Sequence, residues 1–376
     1  MPDKSSALLE RLQAIPDPRR QCQNLKHQLP DILVLGFCGV VAGCDDFVEI
    51  AAWARHHEDF FRTFLELPNG VPAHDTFTRV FAMVHAPALQ GILLGWLQQR
   101  RGLPGELVHI DGKAMRRTRR KSQGLGALQV VSAWASEKGL TLGQVAVDAK
   151  SNEITAIPQL LELLDLQDKI VTIDAAGCQK DIAQAIVEQG GDYVLAVKEN
   201  QPTLYAEIDA AFTSALEREP PELRSHSSVN RGHGRQERRT VWVLPAKGRL
   251  SQLGEWAGLL TLVLVLRVVT CLRTGVETIE VRHFISSLRP SARRLGRAIR
   301  GHWSIENGLH WVLDVVFRED ARRLYDRTAA ENVAFLNRVA VSLLRADPSR
   351  SSLKVKRKQA GWDIHYLAQL LGLPSP

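Results

Sequence analysis

Long apolar runs are missing from this chain of 376 residues. The longest, "ILVLGFCGVVAG" and "GLLTLVLVL", fall short of the roughly 20 residues that a helix needs to span a bilayer, and the N-terminal stretch carries no signal-peptide pattern. Cysteine is scarce. Cys22, Cys38, Cys44, Cys178 and Cys271 form no CxxC pair, and the last two sit in otherwise regular apolar segments. They read as small buried residues in a reducing compartment and not as a disulfide framework. Internal repeats and low-complexity segments are absent too. The expectation is a cytoplasmic protein of a prokaryotic cell, with no membrane attachment.

What is present is an ordinary globular composition with a basic excess. Hydrophobic residues make up 45% and charged residues 24%, which excludes a wholly disordered chain. The length predicts one large domain with one or two smaller parts. Net charge is +7, and Lys and Arg concentrate around residues 116–121, 289–300, 322–327 and 350–358. A solvated surface explains any one of these clusters equally well. Together they predict a polyanionic partner, most often nucleic acid.

Apolar residues at helical spacing run through "DILVLGFCGVVAGCDDFVEIAAWARHHEDFFRTFL" and "PNGVPAHDTFTRVFAMV", with Asp75 as a candidate N-cap. They predict a helical domain over residues 1–97. Beyond a linker at "RRGLPGE" the period shortens. "LVHIDGKA", "LQVVSAWAS" and "LTLGQVAVD" predict three strands, "IPQLLELLD" a helix, "KIVTIDAAG" a fourth strand, "KDIAQAIVEQG" a helix and "YVLAVKEN" a fifth strand. Three strands joined by hairpins, then helix, strand, helix and strand, is the order of a ribonuclease-H-like α/β sheet, shared in part by other α/β folds. This catalytic domain, about residues 105–345, would carry a β-rich insertion at about 218–290. The insertion opens with the polar "SHSSVNRGHGRQERR" and continues in "RTVWVL", "LLTLVLVLRVVT" and "VETIEVRHFISS". Residues 346–376 read as a basic C-terminal tail.

Asp111 ends the first strand and Asp174 the fourth. If those strands are neighbours, the two carboxylates lie side by side at one sheet edge. Converging carboxylates with little else titratable nearby suit a hard divalent cation such as Mg²⁺, although any single Asp at a strand end also reads as a turn or helix cap. Further on, Ile305, Leu309, Val312 and Val316 form an apolar helical stripe, and His302, Glu306, His310 and Asp314 recur at spacing four beside it. Glu306 therefore borders the buried face and is the candidate third acid. Alone, it would read as a surface residue.

"HIDGK", "TIDAAGCQ", "YVLAVKENQ" and "RGHWSIENGLHWVLDVVFRED" resemble the DDE transposases of bacterial insertion sequences, in the ISAs-type branch that includes the H-repeat-associated proteins. "IPDPRR", "DILVLGFCGVVAGCDD" and "PAHDTFTRVF" resemble the helical domain preceding the catalytic domain there. The resemblance spans about residues 10–345. It implies a metal-dependent polynucleotidyl transferase that cuts the ends of its own element with water and joins the freed 3′ hydroxyl to target DNA.

Residue by residue, Asp111, Asp174 and Glu306 match the family's catalytic triad. They would hold Mg²⁺, with Mn²⁺ as a substitute, in a two-metal site. Lys113, Arg116 and Arg117 would sit beside the phosphodiester backbone. Lys198, Arg300 and the insertion's Arg231, Arg235, Arg238 and Arg239 complete the expected DNA contacts. The wider clan carries Tyr, Arg, Glu and Lys on the helix of the Glu, where this chain has Ile299, His302, Glu306 and Leu313. His302, Arg300 and Asp314 are the local candidates for those helper roles. Implied partners are double-stranded DNA at the element ends and target, and further copies of the chain in a synaptic complex at the nucleoid. Two alternatives stand beside this reading: an inactive element remnant that only binds DNA, and a ribonuclease-H-type nuclease, which would need neither the insertion nor the helical domain.

Overall fold

The expected period change near residue 107 separates helices from a sheet in the computed structural model, which describes residues 6–20, 25–102, 105–120, 122, 124–147 and 151–375. Cys22, Lys121 and, within the expected linker, Leu103 and Pro104 lie outside the described residues. Six helices come first: α1 (Ser6–Gln13), α2 (Leu29–Val41), α3 (Phe47–His56), α4 (Glu58–Phe61), α5 (His74–Met83) and α6 (Ala86–Arg101). Asp46 caps α3 by accepting from the Glu49 amide at 2.9 Å. Asp75 is not the N-cap of α5. That place falls to Ala73, and Asp75 lies in the first turn, where its charge still favours the helix dipole. No single helix among the described residues is long and apolar enough to cross a membrane.

The α/β region follows as β1 (Leu107–Met115), β2 (Leu128–Ala135), β3 (Leu140–Ala146), α7 (Glu153–Glu162), β4 (Ile170–Ile173), α8 (Lys180–Glu188), β5 (Asp192–Val197) and α9 (Pro202–Arg218). The β-rich stretch supplies β6 (Arg224–Gly232), β7 (Arg235–Pro245), β8 (Thr261–Cys271) and β9 (Glu277–Ser286). All nine strands share one sheet in the order β3-β2-β1-β4-β5-β9-β8-β7-β6. Its first five strands have the ribonuclease-H-like arrangement, with β4 parallel to β1 and to β5. The β-rich stretch extends that sheet, because β9 pairs antiparallel with β5 over residues 283–286.

The chain then forms α10 (Ala292–Ile305), a π-helical turn (Glu306–His310) and α11 (Trp311–Val315), followed by α12 (Arg327–Ala346), α13 (Leu353–Trp362) and α14 (Ile364–Leu371). Helix α12 is buried around most of its circumference, as its position between the sheet and the N-terminal helices requires. Its Asn332 side chain donates to the Phe81 and Val84 carbonyls, both at 2.9 Å, and a continuous core links both sides.

Within 346–375, expected as a basic tail, two helices pack on the rest of the chain. Ala360, Leu367 and Leu371 enter the common core, and the buried Arg357 donates to the carbonyls of Val40, Cys44 and Val316. Cys38, Cys44 and Cys178 are buried as expected. Cys271, at the end of β8, is half-exposed.

Candidate active site

Strand pairing places the first two acids. Ile110 and Ile173 are register partners on the parallel strands β1 and β4, so Asp111 and Asp174 are the next residues on neighbouring strands, which run about 4.8 Å apart. Asp174 also caps the turn after β4, its Oδ1 accepting from the Ala176 amide at 3.1 Å. The cap expected of a strand-end Asp is thus formed by this side chain.

Glu306 approaches from α10. The helix widens into a π turn over residues 306–310, and Arg345 secures the turn by donating from Nη2 to the Gly308 carbonyl at 2.7 Å. Such single π turns inside α-helices occur frequently at functional sites. The turn brings His310 to the acids: its Nδ1 lies 3.5 Å from Asp111 Oδ2 and 3.7 Å from Glu306 Oε2. Donor atoms of Asp111, Glu306 and His310 all fall within 4.8 Å of one another, while Asp174 stands outside that group. Asp111, Asp174, Glu306, His302 and Lys198 line one open cavity of about 900 Å³.

Burial pushes the Asp111 carboxyl up to about 8, and the neighbouring carboxylates of Glu306 and Asp174 add to that shift. Glu306 moves the other way, held near 2 chiefly by the neighbouring His310 imidazole. The two carboxyls thus shift in opposite directions, Asp111 toward its protonated form and Glu306 toward its ionised form. A divalent cation would relieve the same repulsion. The donor set fits one, since it offers two carboxylates, Asp111 and Glu306, and one imidazole nitrogen, Nδ1 of His310. Glu153, at the start of α7, adds a carboxylate raised by burial and by Asp174.

Several expected contacts move. Lys113, expected beside a phosphodiester backbone, has carboxylate partners of its own. It is buried, and its Nζ lies 2.6 Å from Asp314 Oδ1 and 3.3 Å from Asp320 Oδ1. Asp314 is accordingly taken up by that pair. Arg116 is exposed but reaches Asp320 at 3.1 Å, and Arg117 is exposed. Lys198 is exposed at the cavity rim. Arg231, Arg235 and Arg238 lie exposed on the β6–β7 ribbon, whereas Arg239 turns inward to Glu237 at 2.7 Å. Arg300 joins Arg239, Arg293, Arg294 and Arg297 in a second groove of about 560 Å³ between α10 and the ribbon.

Sequence reasoning missed His310, Glu153, Arg293 and Arg297 as site residues. Spacing four from Glu306 was the available signal for His310. The other three needed the fold.

Residues 102–343 match the family described as "Transposase DDE domain", and residues 9–97 match the one described as "DDE_Tnp_1-associated". The chain is 37% identical over 369 residues to the "H repeat-associated putative transposase YhhI" of Escherichia coli K12, covering 97% of each protein. It is 38% identical over 370 residues to the "Putative transposase YncI" of Escherichia coli O157:H7, covering 97% of this chain and 94% of that one.

Proposed function

Because the chain belongs to the DDE transposase family, a class of metal-dependent polynucleotidyl transferases acting on DNA, we propose that Asp111, Asp174 and Glu306 are its catalytic acids and Mg²⁺ its cation. The adjacency of Asp111 and Asp174 on parallel strands, with Glu306 facing the same cavity, carries this reading. His310 joins them as a ligand or as the group that orients Glu306. Mg²⁺, when bound, supplies positive charge to the phosphoryl oxygens in the transition state.

The chain's own groups bind and align the strands. Water first displaces the 3′ oxygen at the element end. The freed 3′ hydroxyl then attacks a target phosphodiester, so one bond forms as one breaks. On α10, Arg293, Arg297 and Arg300 recur at spacing four and three toward Glu306. At 1.5 Å per residue, Arg293 lies about 20 Å from Glu306 along the helix, roughly the length of six base pairs. This ridge, with Lys198 and Arg117, forms the path of the duplex.

We assign end recognition to the helices of residues 1–97 and catalysis to residues 105–345. The β-rich stretch at 218–290 holds the flanking DNA, and residues 346–376 brace the helical layer. Joining two ends to one target calls for at least two copies of the chain, acting in the cytoplasm on the nucleoid. The test is labelled end DNA incubated with purified protein and Mg²⁺. Strand joining supports the proposal, cutting alone indicates a nuclease, and a mobility shift without cleavage indicates a binding-only remnant.

A further inference from the structure

The two edges of the nine-stranded sheet are finished differently. At one, β3 is covered: α12 packs on it, and the Thr141 amide donates to Ser342 Oγ of that helix at 3.0 Å. At the other, β6 is the last strand among the described residues, exposed along its length apart from the half-buried Ser228 and Asn230. The free main-chain groups of an edge are a template for another strand, and proline, lysine or a bulge ordinarily blunts them. β6 has no proline and no lysine, and its nine residues pair with β7 in one unbroken register.

The ladders show which groups of β6 are free. The Gly234 carbonyl accepts from the Leu272 amide at 2.9 Å, and the Leu260 carbonyl accepts from the Ala246 amide at 2.8 Å, at opposite ends of the pairing between β7 and β8. Main-chain groups alternate sides along an antiparallel strand, so the even-numbered residues of β7 bond β8 and the odd-numbered ones bond β6. The register from Arg224 with Val243 to Gly232 with Arg235 then turns the even-numbered residues of β6 toward β7. Ser225, Ser227, Val229 and Arg231 are left with N–H and C=O pointing out of the sheet.

A second copy of the same strand matches that edge. About a twofold axis at Ser228, two antiparallel β6 strands set Ser225 opposite Arg231 and Ser227 opposite Val229, so every outward residue of both copies is bonded. Moving the axis to Ser227 or Val229 loses a pair. The axis at Ser228 also sets no arginine opposite another: Arg224 faces Gly232 and Arg231 faces Ser225, which avoids the like-charge pairs that oppose strand association. On the other face it brings Asn230, whose Nδ2 has no partner among the described residues, opposite His226. The bonds are made by main-chain groups, so the side chains of Arg231, Arg235 and Arg238 stay available on the ribbon. Phosphates bound there offset the repulsion between two basic ribbons.

We propose that the outer edge of β6 is where a second copy of the chain joins, two β6 strands pairing about Ser228 to fuse two sheets into one. The purpose of this surface rests on the two-copy transposase reading; the free edge and its self-matching register do not.

Sedimentation velocity of the full chain, with and without end DNA, reads the assembly. The wild type should sediment as two copies, more tightly associated with DNA. Ser227→Pro removes an outward N–H and leaves the bonds between β6 and β7 intact, since proline is tolerated at a free edge. It should weaken self-association roughly 10- to 100-fold, whereas Ser227→Ala should not. Cross-linking reads the register without relying on proline. With Cys22 and Cys271 replaced by Ser, Ser228→Cys should give a disulfide-linked pair on mild oxidation, because opposite non-bonded residues lie about 4.5 Å apart. Ser225→Cys should not, its two copies standing roughly 20 Å apart. A wild type that stays single on DNA, wild-type self-association in Ser227→Pro, or equal cross-linking of Ser225→Cys and Ser228→Cys overturns the proposal, and strand joining by the same protein would leave the transposase reading standing. Edge-paired copies that neither cut nor join DNA would refute the transposase reading alone.

Discussion

Lys113 Nζ lies 2.6 Å from Asp314 Oδ1, which ties the strand of Asp111 to the helix that carries Glu306. Glu319, fully buried, stands 3.7 Å from the same ammonium and 3.2 Å from Arg338. Removing one member of such a network leaves uncompensated buried charge, so Lys113→Met should cost about 3–5 kcal/mol of stability. Denaturant unfolding measures this. The salt dependence of DNA binding should not change. Unaltered stability with a weakened salt dependence would return Lys113 to the DNA surface.

The acids predict a pH signature of the metal-free protein. The folded state holds a proton on Asp111 up to about 8, against an ordinary value of 3.8. Its stabilising contribution is complete below the ordinary value and is lost as pH rises through the folded one. Glu306 runs oppositely: its contribution is present above its ordinary value of 4.5 and is lost only as pH falls through about 2. Stability attributable to the pair should therefore decline from about pH 5 to pH 8. Mg²⁺ takes the place of the proton and should flatten that decline, as thermal melts with and without Mg²⁺ would record. A decline untouched by Mg²⁺ contradicts a shared site.

On the β6–β7 ribbon, Arg231, Arg235 and Arg238 are exposed, whereas Arg239 is paired with Glu237 at 2.7 Å. Replacing the three exposed arginines by Ala should lower the slope of log affinity against log salt by about one unit for each DNA phosphate left without its arginine. Arg239→Ala should leave the slope nearly unchanged. Equal effects would mean that the inward pair opens on DNA binding.

Gly361 on α13 faces the end of α2, where an added Cβ would press into the Ala42 carbonyl oxygen, and the Gly361 carbonyl accepts from Trp53 Nε1 at 3.3 Å. Gly361→Ala should therefore destabilise the protein by about 1–3 kcal/mol. No change would mean that the last two helices are not docked.

Much of the catalytic sheet was legible because local period and strand order are written in short segments. "LVHID" and "VTID" each end an apolar run on Asp, and parallel pairing of those runs brings the acids together. Helical spacing placed Glu306 at the border of a buried face, and the resemblance singled it out from other surface acids. Lys113 was not, since its carboxylate partners lie about 200 residues away in sequence and local pattern shows only a cation beside more cations. The π turn depends on Arg345 reaching Gly308, a contact across 37 residues with no local signature. The basic run near residue 356 concealed two docked helices because Lys356 and Arg357 are buried, paired with the Asp347 and Asp45 carboxylates at 3.1 and 3.2 Å and donating to main-chain carbonyls, against the usual solvation of such residues.

The most direct test of the account is Mg²⁺-dependent nicking of end DNA by Glu306→Gln, beside melting temperature and DNA affinity. Gln preserves the shape and the half-exposed setting of Glu306 but removes one of the charges around the proposed cation. The account predicts a loss of several orders of magnitude in nicking, a normal fold, and DNA binding without metal that persists or tightens. Asp111→Asn and Asp174→Asn should each lose as much, and the losses should not add when combined. Near-normal nicking by Glu306→Gln would contradict a metal site built on Asp111, Asp174 and Glu306.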